Sequence, residues 1–117
     1  MKTIFRNINE LKKEFEFWVG ESAMDNFAMI DIANSTDLWF HLGGGESSCH
    51  VICRMPLDLP SKKALRQIIT QGAIVCKQYS RRKSDKNVPI IYTKIENLEK
   101  TNVAGCVLTK NIKTILI

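Results

Sequence analysis

Hydrophobic and polar positions alternate early in the chain. Phe15, Phe17 and Val19 interleave with Glu14, Glu16 and Trp18, the period-two pattern of a half-buried strand, and Gly20 ends it. Ser22 to Ala33 follows as a predicted helix with Met24, Phe27, Ala28 and Ile30 as its apolar contacts, broken by Asn34-Ser35-Thr36. Asp37–Leu42 and Cys49–Arg54 are strand-like, separated by the turn-rich Gly43-Gly44-Gly45-Glu46-Ser47-Ser48. Met55 to Pro60 holds two prolines and is excluded from a central strand, because proline has no N–H for the ladder. Ser61 is placed to N-cap a helix running to about Tyr79. Strands are then predicted over Val88–Ile95, Val103–Thr109 and Ile112–Ile117, with Lys110-Asn111 as a tight turn between the last two. Thr3 to Asn7 offers a further edge strand. These elements predict an α+β fold, a mostly antiparallel sheet with two main helices packed on one face of it. A length of 117 residues fits a single domain over 1–117, with residues 1–13 as an N-terminal extension or edge strand.

The second helix is the sharpest of these elements. With residues advancing about 100° each, Leu65, Ile68, Ile69, Gly72, Val75, Cys76 and Tyr79 fall in one arc about 120° wide. Lys62, Lys63, Arg66, Thr70 and Lys77 fall on the other side, so one face packs and the opposite face is cationic. Arg81-Arg82-Lys83 and Lys86 carry the positive charge past the helix end, where cations also suit the helix dipole.

Charge is divided along the chain. Residues 1–60 hold five basic against nine acidic groups, a balance of −4, whereas residues 61–117 hold twelve basic against three acidic groups, a balance of +9. That polarity predicts a basic face for an anionic partner, and also fits a solvated basic surface. No apolar run reaches the length of about 18 residues of a membrane span, and the opening Met1-Lys2-Thr3-Ile4-Phe5-Arg6-Asn7 lacks the apolar core of a secretory signal. Cys49, Cys53, Cys76 and Cys106 are scattered among apolar neighbours, as expected of reduced packing thiols in a cytoplasmic protein.

Candidate chemistry gathers on the two strands around the glycine-rich loop. Paired antiparallel, Leu38 faces Cys53, Phe40 faces Val51 and Leu42 faces Cys49, all on one apolar side. On the other side His41 faces His50, Trp39 faces Ile52 and Asp37 faces Arg54. A slip of one residue would scramble this sorting, so the pattern supports its own register. Zinc is disfavoured because both cysteines project away from both histidines, and a His–Cys nucleophilic pair fails for the same reason. Histidine, arginine and an aromatic plane suit phosphate contact and base stacking. The same residues also suit a hydrogen-bonded histidine pair beside a cross-strand Asp37–Arg54 ion pair. The glycine amides of the loop offer an anion contact, and a plain hairpin loop fits equally well.

Asp37-Leu38-Trp39-Phe40-His41, Ser47-Ser48-Cys49-His50-Val51, Gln78-Tyr79-Ser80, Val88-Pro89-Ile90-Ile91-Tyr92-Thr93, Asn97-Leu98-Glu99-Lys100-Thr101 and Gly105, in this order, resemble the NFACT-R domain. The resemblance runs from about Phe15 to the C-terminus. Cysteine before His50 and the Gly43-Gly44-Gly45 run depart from the family's usual form. The resemblance implies an RNA-binding domain that accompanies ribosome- and tRNA-engaging domains in longer proteins, and marks Asp37, Trp39, His41, Ser48, His50, Tyr92, Thr93 and Lys100 as signature positions, with Phe40 and Gly105 as structural ones. Arg54 joins the signature set as Asp37's partner.

The expected function is therefore non-enzymatic nucleic-acid binding, with tRNA or rRNA as partner in translation or ribosome-associated quality control. Lys62, Lys63, Arg66, Lys77, Arg81, Arg82, Lys83 and Lys86 are the expected phosphate contacts. No cofactor or metal is expected. The alternatives are DNA binding and a protein-interaction adaptor docking on a ribosome or another partner, with Trp18 or Trp39 as an exposed anchor. A small hydrolase built on the histidines lacks a nucleophile motif.

Overall fold

The structure, a computed structural model, describes residues 1–117. Its elements are β1 (Lys2–Ile8), β2 (Lys13–Val19), α1 (Ala23–Ile32), β3 (Leu38–Leu42), β4 (Val51–Cys53), α2 (Lys62–Gln78), β5 (Pro89–Lys94), β6 (Leu98–Lys100), β7 (Val107–Thr109) and β8 (Lys113–Leu116). Six strands form one sheet in the order β1-β2-β4-β3-β5-β8, and β6 pairs with β7 in a separate two-stranded ribbon. Every pairing is antiparallel. The fold is α+β, with both helices packed on the sheet.

Side-chain alternation along the strands makes two different faces. Phe15, Phe17 and Val19, Leu38, Phe40 and Leu42, and Val51 and Cys53 point to one of them, where α2 adds Ile68, Ala73, Val75 and Cys76. Ser61 starts α2 by accepting a hydrogen bond from the Ala64 amide at 3.1 Å, as its N-cap position predicts. The helix lies so close to the sheet that a Cβ at Gly72 would sit 2.2 Å from the Phe40 ring, which explains glycine in the middle of a helix where it is otherwise unfavourable. Within the expected packing arc, Leu65 and Ile69 are only half-buried and Tyr79 is exposed, with the Lys2 ammonium over its ring. Buried Ala64 and Ala73 take up the remaining contact, because small side chains fit where the helix approaches the strands.

The opposite face carries Trp18, Trp39 and Ile52 under Met29 of α1 and Ile95. The two helices therefore lie on opposite sides of the sheet, not on one face as the element pattern had indicated. The inward side of α1 differs as well. Asn26 and Met29 are buried, whereas Met24 is 78% exposed and Ala28 faces solvent. Asn26 earns no place in a hydrophobic pattern, but its Oδ1 accepts the His50 amide, a backbone donor that β2 leaves unpaired. Gly20 leaves the space that this carboxamide fills. Both tryptophans are buried, which removes them as exposed anchors.

The C-terminal strands are not the expected meander. β7 turns back on β6, and β8 crosses to the far edge of the main sheet beside β5. Lys110-Asn111 is thus a crossover and not a hairpin turn. Thr93 Oγ1 lies 3.2 Å from the carbonyls of both Lys110 and Asn111, and the Lys110 amide donates to the Asn97 carbonyl, so the crossover is pinned to the end of β5. Asn111 adopts φ 55°, a conformation asparagine tolerates better than most residues. No helix is long and apolar enough to cross a membrane.

Candidate nucleic-acid interface

The β3–β4 pairing places Leu38 opposite Cys53, Trp39 opposite Ile52 and Phe40 opposite Val51, the register that the alternation predicts. One step further along, the His41 and His50 rings meet at 5.2 Å in an edge-on arrangement. Trp39 stacks on His41 at 5.5 Å with 13° between the planes, and meets His50 at 5.3 Å nearly perpendicular. His41 Nδ1 donates to the Leu42 carbonyl at 2.8 Å, which leaves Nε2 as the acceptor. His50 Nδ1 and Trp39 Nε1 are buried with no hydrogen-bond partner.

Burial sets the charge of this cluster. Desolvation lowers the pKa of His41, with the Leu42 carbonyl partly offsetting it. His50 is lowered to about 4, first by desolvation and then by the neighbouring His41, against a smaller opposing effect of the Gly105 carbonyl. Both rings are therefore neutral near pH 7 and do not supply a positive charge for phosphate. What they offer is an uncharged aromatic surface and neutral hydrogen-bonding atoms.

These rings line a groove of about 990 Å³ between the glycine-rich loop, the start of α1 and the connection from β6 to β7. Lys2, Tyr79 and Arg81 stand at one side of it. The loop is shaped by Gly44 and Gly45, both at φ 75°. It is closed by the Ser48 hydroxyl, which accepts the Leu42 amide at 3.1 Å. The Gly43 amide is already donated to the Pro89 carbonyl at 2.9 Å, so it is not available to an anion.

Most other signature positions are architectural. Asp37 is fully buried and its carboxylate accepts the amides of Asn34 at 2.8 Å and Met55 at 2.9 Å. Arg54 Nε lies 3.2 Å from that carboxylate without hydrogen-bond alignment, and its guanidinium covers the Trp18 ring at 4.8 Å. Thr93 anchors the crossover and accepts from Asn97 Nδ2 at 2.8 Å. Tyr92 packs on Phe40 at 6.0 Å. Lys100 pairs with Asp31 and covers Phe27 at 5.2 Å. Gly105 holds φ 77° where a Cβ would fall 2.9 Å from that of Ala23, so it lets the β6–β7 connection approach α1.

The cations divide into three groups. Lys77 and Arg82 are engaged within the fold: Lys77 Nζ donates to the Ile117 carbonyl at 3.1 Å, and Arg82 pairs with Glu46 and with Asp85. Lys62, Lys63 and Arg66 lie on the outer side of α2, away from the histidines, with Lys63 near Glu10 at 3.5 Å. Lys63 and Arg66 border a separate polar groove with Asn7, Asn9, Gln67 and Thr70. Arg81, Lys83 and Lys86 are exposed and make no ion pair, and Arg81 reaches the histidine groove. Which cations are already matched by carboxylates was not visible in the sequence, because Glu46 and Glu10 are distant from their partners along the chain.

The profile of the NFACT protein RNA binding domain matches residues 4–111. The chain belongs to this family. The signature residues thus lie in the matched span, with Trp39, His41 and His50 gathered in the groove and Asp37, Arg54, Thr93 and Lys100 holding the scaffold. Among solved structures, the chain is similar to the C-terminal part of the fibronectin/fibrinogen-binding protein from Streptococcus suis, with a TM-score of 0.79 and 22% sequence identity. The likeness covers 100% of this chain and 45% of that one, and it shows a shared fold. No curated protein matches the chain.

Proposed function

We propose that this NFACT-R domain is a non-enzymatic RNA-binding module that grips phosphates at the groove end of the molecule through Arg81, Lys83 and Lys86. The observation that carries this reading is their freedom. In a family of RNA-binding domains, these exposed cations have no carboxylate partner, and Arg81 among them lines the groove that holds the signature histidines. Lys62, Lys63 and Arg66 supply a second, weaker contact on the outer side of α2. Lys77 and Arg82 contribute through the fold, because their side chains are already committed. The RNA is tRNA or ribosomal RNA in the cytoplasm, in keeping with the family's placement beside ribosome-engaging domains. Fibronectin or fibrinogen binding is not carried over, because the likeness to the streptococcal protein is one of fold.

A second reading, a protein adaptor docking on the ribosome or another partner, is favoured by Leu57 and Leu59. Both stand almost fully exposed in the loop between Pro56 and Pro60, and a pair of unpacked leucines offers an apolar anchor to a protein surface. DNA offers the same phosphates, and the comparison of nucleic acids separates it.

The test is binding of labelled tRNA, single-stranded RNA and DNA of equal length across a salt series. Phosphate contacts make affinity fall with salt, with a slope of roughly 0.7 to 0.9 per phosphate neutralised. RNA bound with such a slope, and bound more tightly than DNA, is the expected result. No RNA binding at low salt, together with partners that survive nuclease treatment, overturns it in favour of the adaptor.

A further inference from the structure

Resting on the RNA-binding reading, we propose that the groove is the seat of one unpaired RNA nucleotide, its base laid against His41 and its phosphates held at the rim by Arg81 and Lys2. Four features of the molecule converge on this. The floor is aromatic and uncharged: Trp39 backs one face of His41, so a base on the groove side would continue the stack. The rim toward α2 carries Lys2 and Arg81, and of the two carboxylates that line the groove Glu46 is matched by Arg82. A neutral floor under a charged rim is the arrangement that suits a base with its own phosphates, and it suits an acidic peptide poorly.

The third feature is polar and unspent. His50 is 2% exposed and Trp39 1%, and each keeps a buried ring nitrogen without a partner beneath the groove. Such atoms cost stability when left unpaired, and persist where a ligand or a bound water completes them. Neutral imidazole accepts and indole N–H donates, so a hydroxyl or a base edge with both capacities serves them together. The fourth is shape. The groove is walled by the glycine-rich loop on one side and the β6–β7 connection on the other. A base stacked within a duplex cannot descend between these walls, whereas an unstacked one can. The site therefore selects single-stranded loops or ends.

The experiment uses the full chain and three probes: a single-stranded RNA octamer, the same octamer with one abasic nucleotide, and a blunt duplex of the same length. Ring and indole N–H resonances of Trp39, His41 and His50 report on the groove while affinity is measured in parallel. The octamer is expected to shift these resonances and to bind His41→Ala roughly tenfold more weakly, the loss of one base stack, with the salt slope unchanged. His41→Phe keeps an aromatic plane and is expected to retain the affinity, which separates stacking from a fold defect. The duplex is expected to bind through the cations without shifting the groove resonances. RNA binding with unshifted groove resonances, or equal affinity of octamer and duplex for wild type and His41→Ala, overturns the nucleotide seat and leaves the phosphate-binding reading standing. Absence of any RNA binding overturns both.

Discussion

The two faces of one sheet are built from alternate residues of the same strands, yet they are chemically unlike. Beneath α2, the face formed by Phe17, Phe40, Val51 and their neighbours is apolar and densely packed. The other face carries two tryptophans and two histidines, and two of their ring nitrogens are buried without partners. Full burial of a large apolar side chain is worth about 1.5–3 kcal/mol, so the α2 face holds most of the stabilisation. The histidine face keeps two buried polar atoms unpaired within the chain, which costs stability unless a ligand or a bound water completes them. A period of two thus lets one hairpin serve architecture with Leu38, Phe40 and Leu42 and a candidate site with Trp39 and His41.

That contrast can be broken from either side. The largest effect is expected on the packed face: Phe40→Ala should cost about 3–5 kcal/mol in denaturant unfolding, because it opens a cavity against Gly72. A cost under about 1 kcal/mol would mean that the α2 face is not the stabilising one.

Acid should act on the histidine face. Folded His50 titrates at about 4, below its ordinary 6.5. Between these values the unfolded chain binds the proton and the folded chain does not. Stability is therefore fully present above about pH 6.5 and falls as pH drops toward 4, by about 3 kcal/mol from His50 alone. Unfolding measured at pH 7 and at pH 4.5 should show this loss, and His50→Gln should reduce it. The same pH dependence in wild type and His50→Gln would place the titrating group elsewhere.

Asp37→Ala sharpens the division within the signature itself. Removing the carboxylate orphans the amides of Asn34 and Met55, at a cost of about 2 kcal/mol, while the salt slope of RNA binding stays the same. A changed slope with unchanged stability would move Asp37 from the scaffold to the site.

Much of the contrast is legible in the sequence, and the exceptions have physical causes. The sorting of the hairpin's faces follows from alternation, since a slip of one residue would turn Leu38, Phe40 and Leu42 to the face opposite Val51 and Cys53, and the simplest register that keeps them together is the one observed. The α2 boundaries follow from Ser61 and the apolar arc. The orientation of α1 was hidden because its buried side uses Asn26, chosen for a backbone hydrogen bond and not for hydrophobicity. β6 was hidden because Leu98–Lys100 is short and has one half-buried residue and two exposed ones. The burial of Trp18 and Trp39 depends on α1 and Ile95 closing over them. The separation of free from paired cations depends on long-range contacts such as Arg82 with Glu46.

The most direct measurement compares two charge-reversed variants of equal net charge: Arg81→Glu with Lys83→Glu and Lys86→Glu, and Lys62→Glu with Lys63→Glu and Arg66→Glu. RNA affinity and its salt slope are measured for each, with unfolding as a control. The groove-end variant is predicted to lose the greater share of affinity and to lower the slope by roughly 2 to 3, one phosphate contact per residue, while the α2 variant loses less. Equal losses would show RNA held by net charge alone, and a greater loss in the α2 variant would put the binding surface on the outer side of α2, away from the histidines.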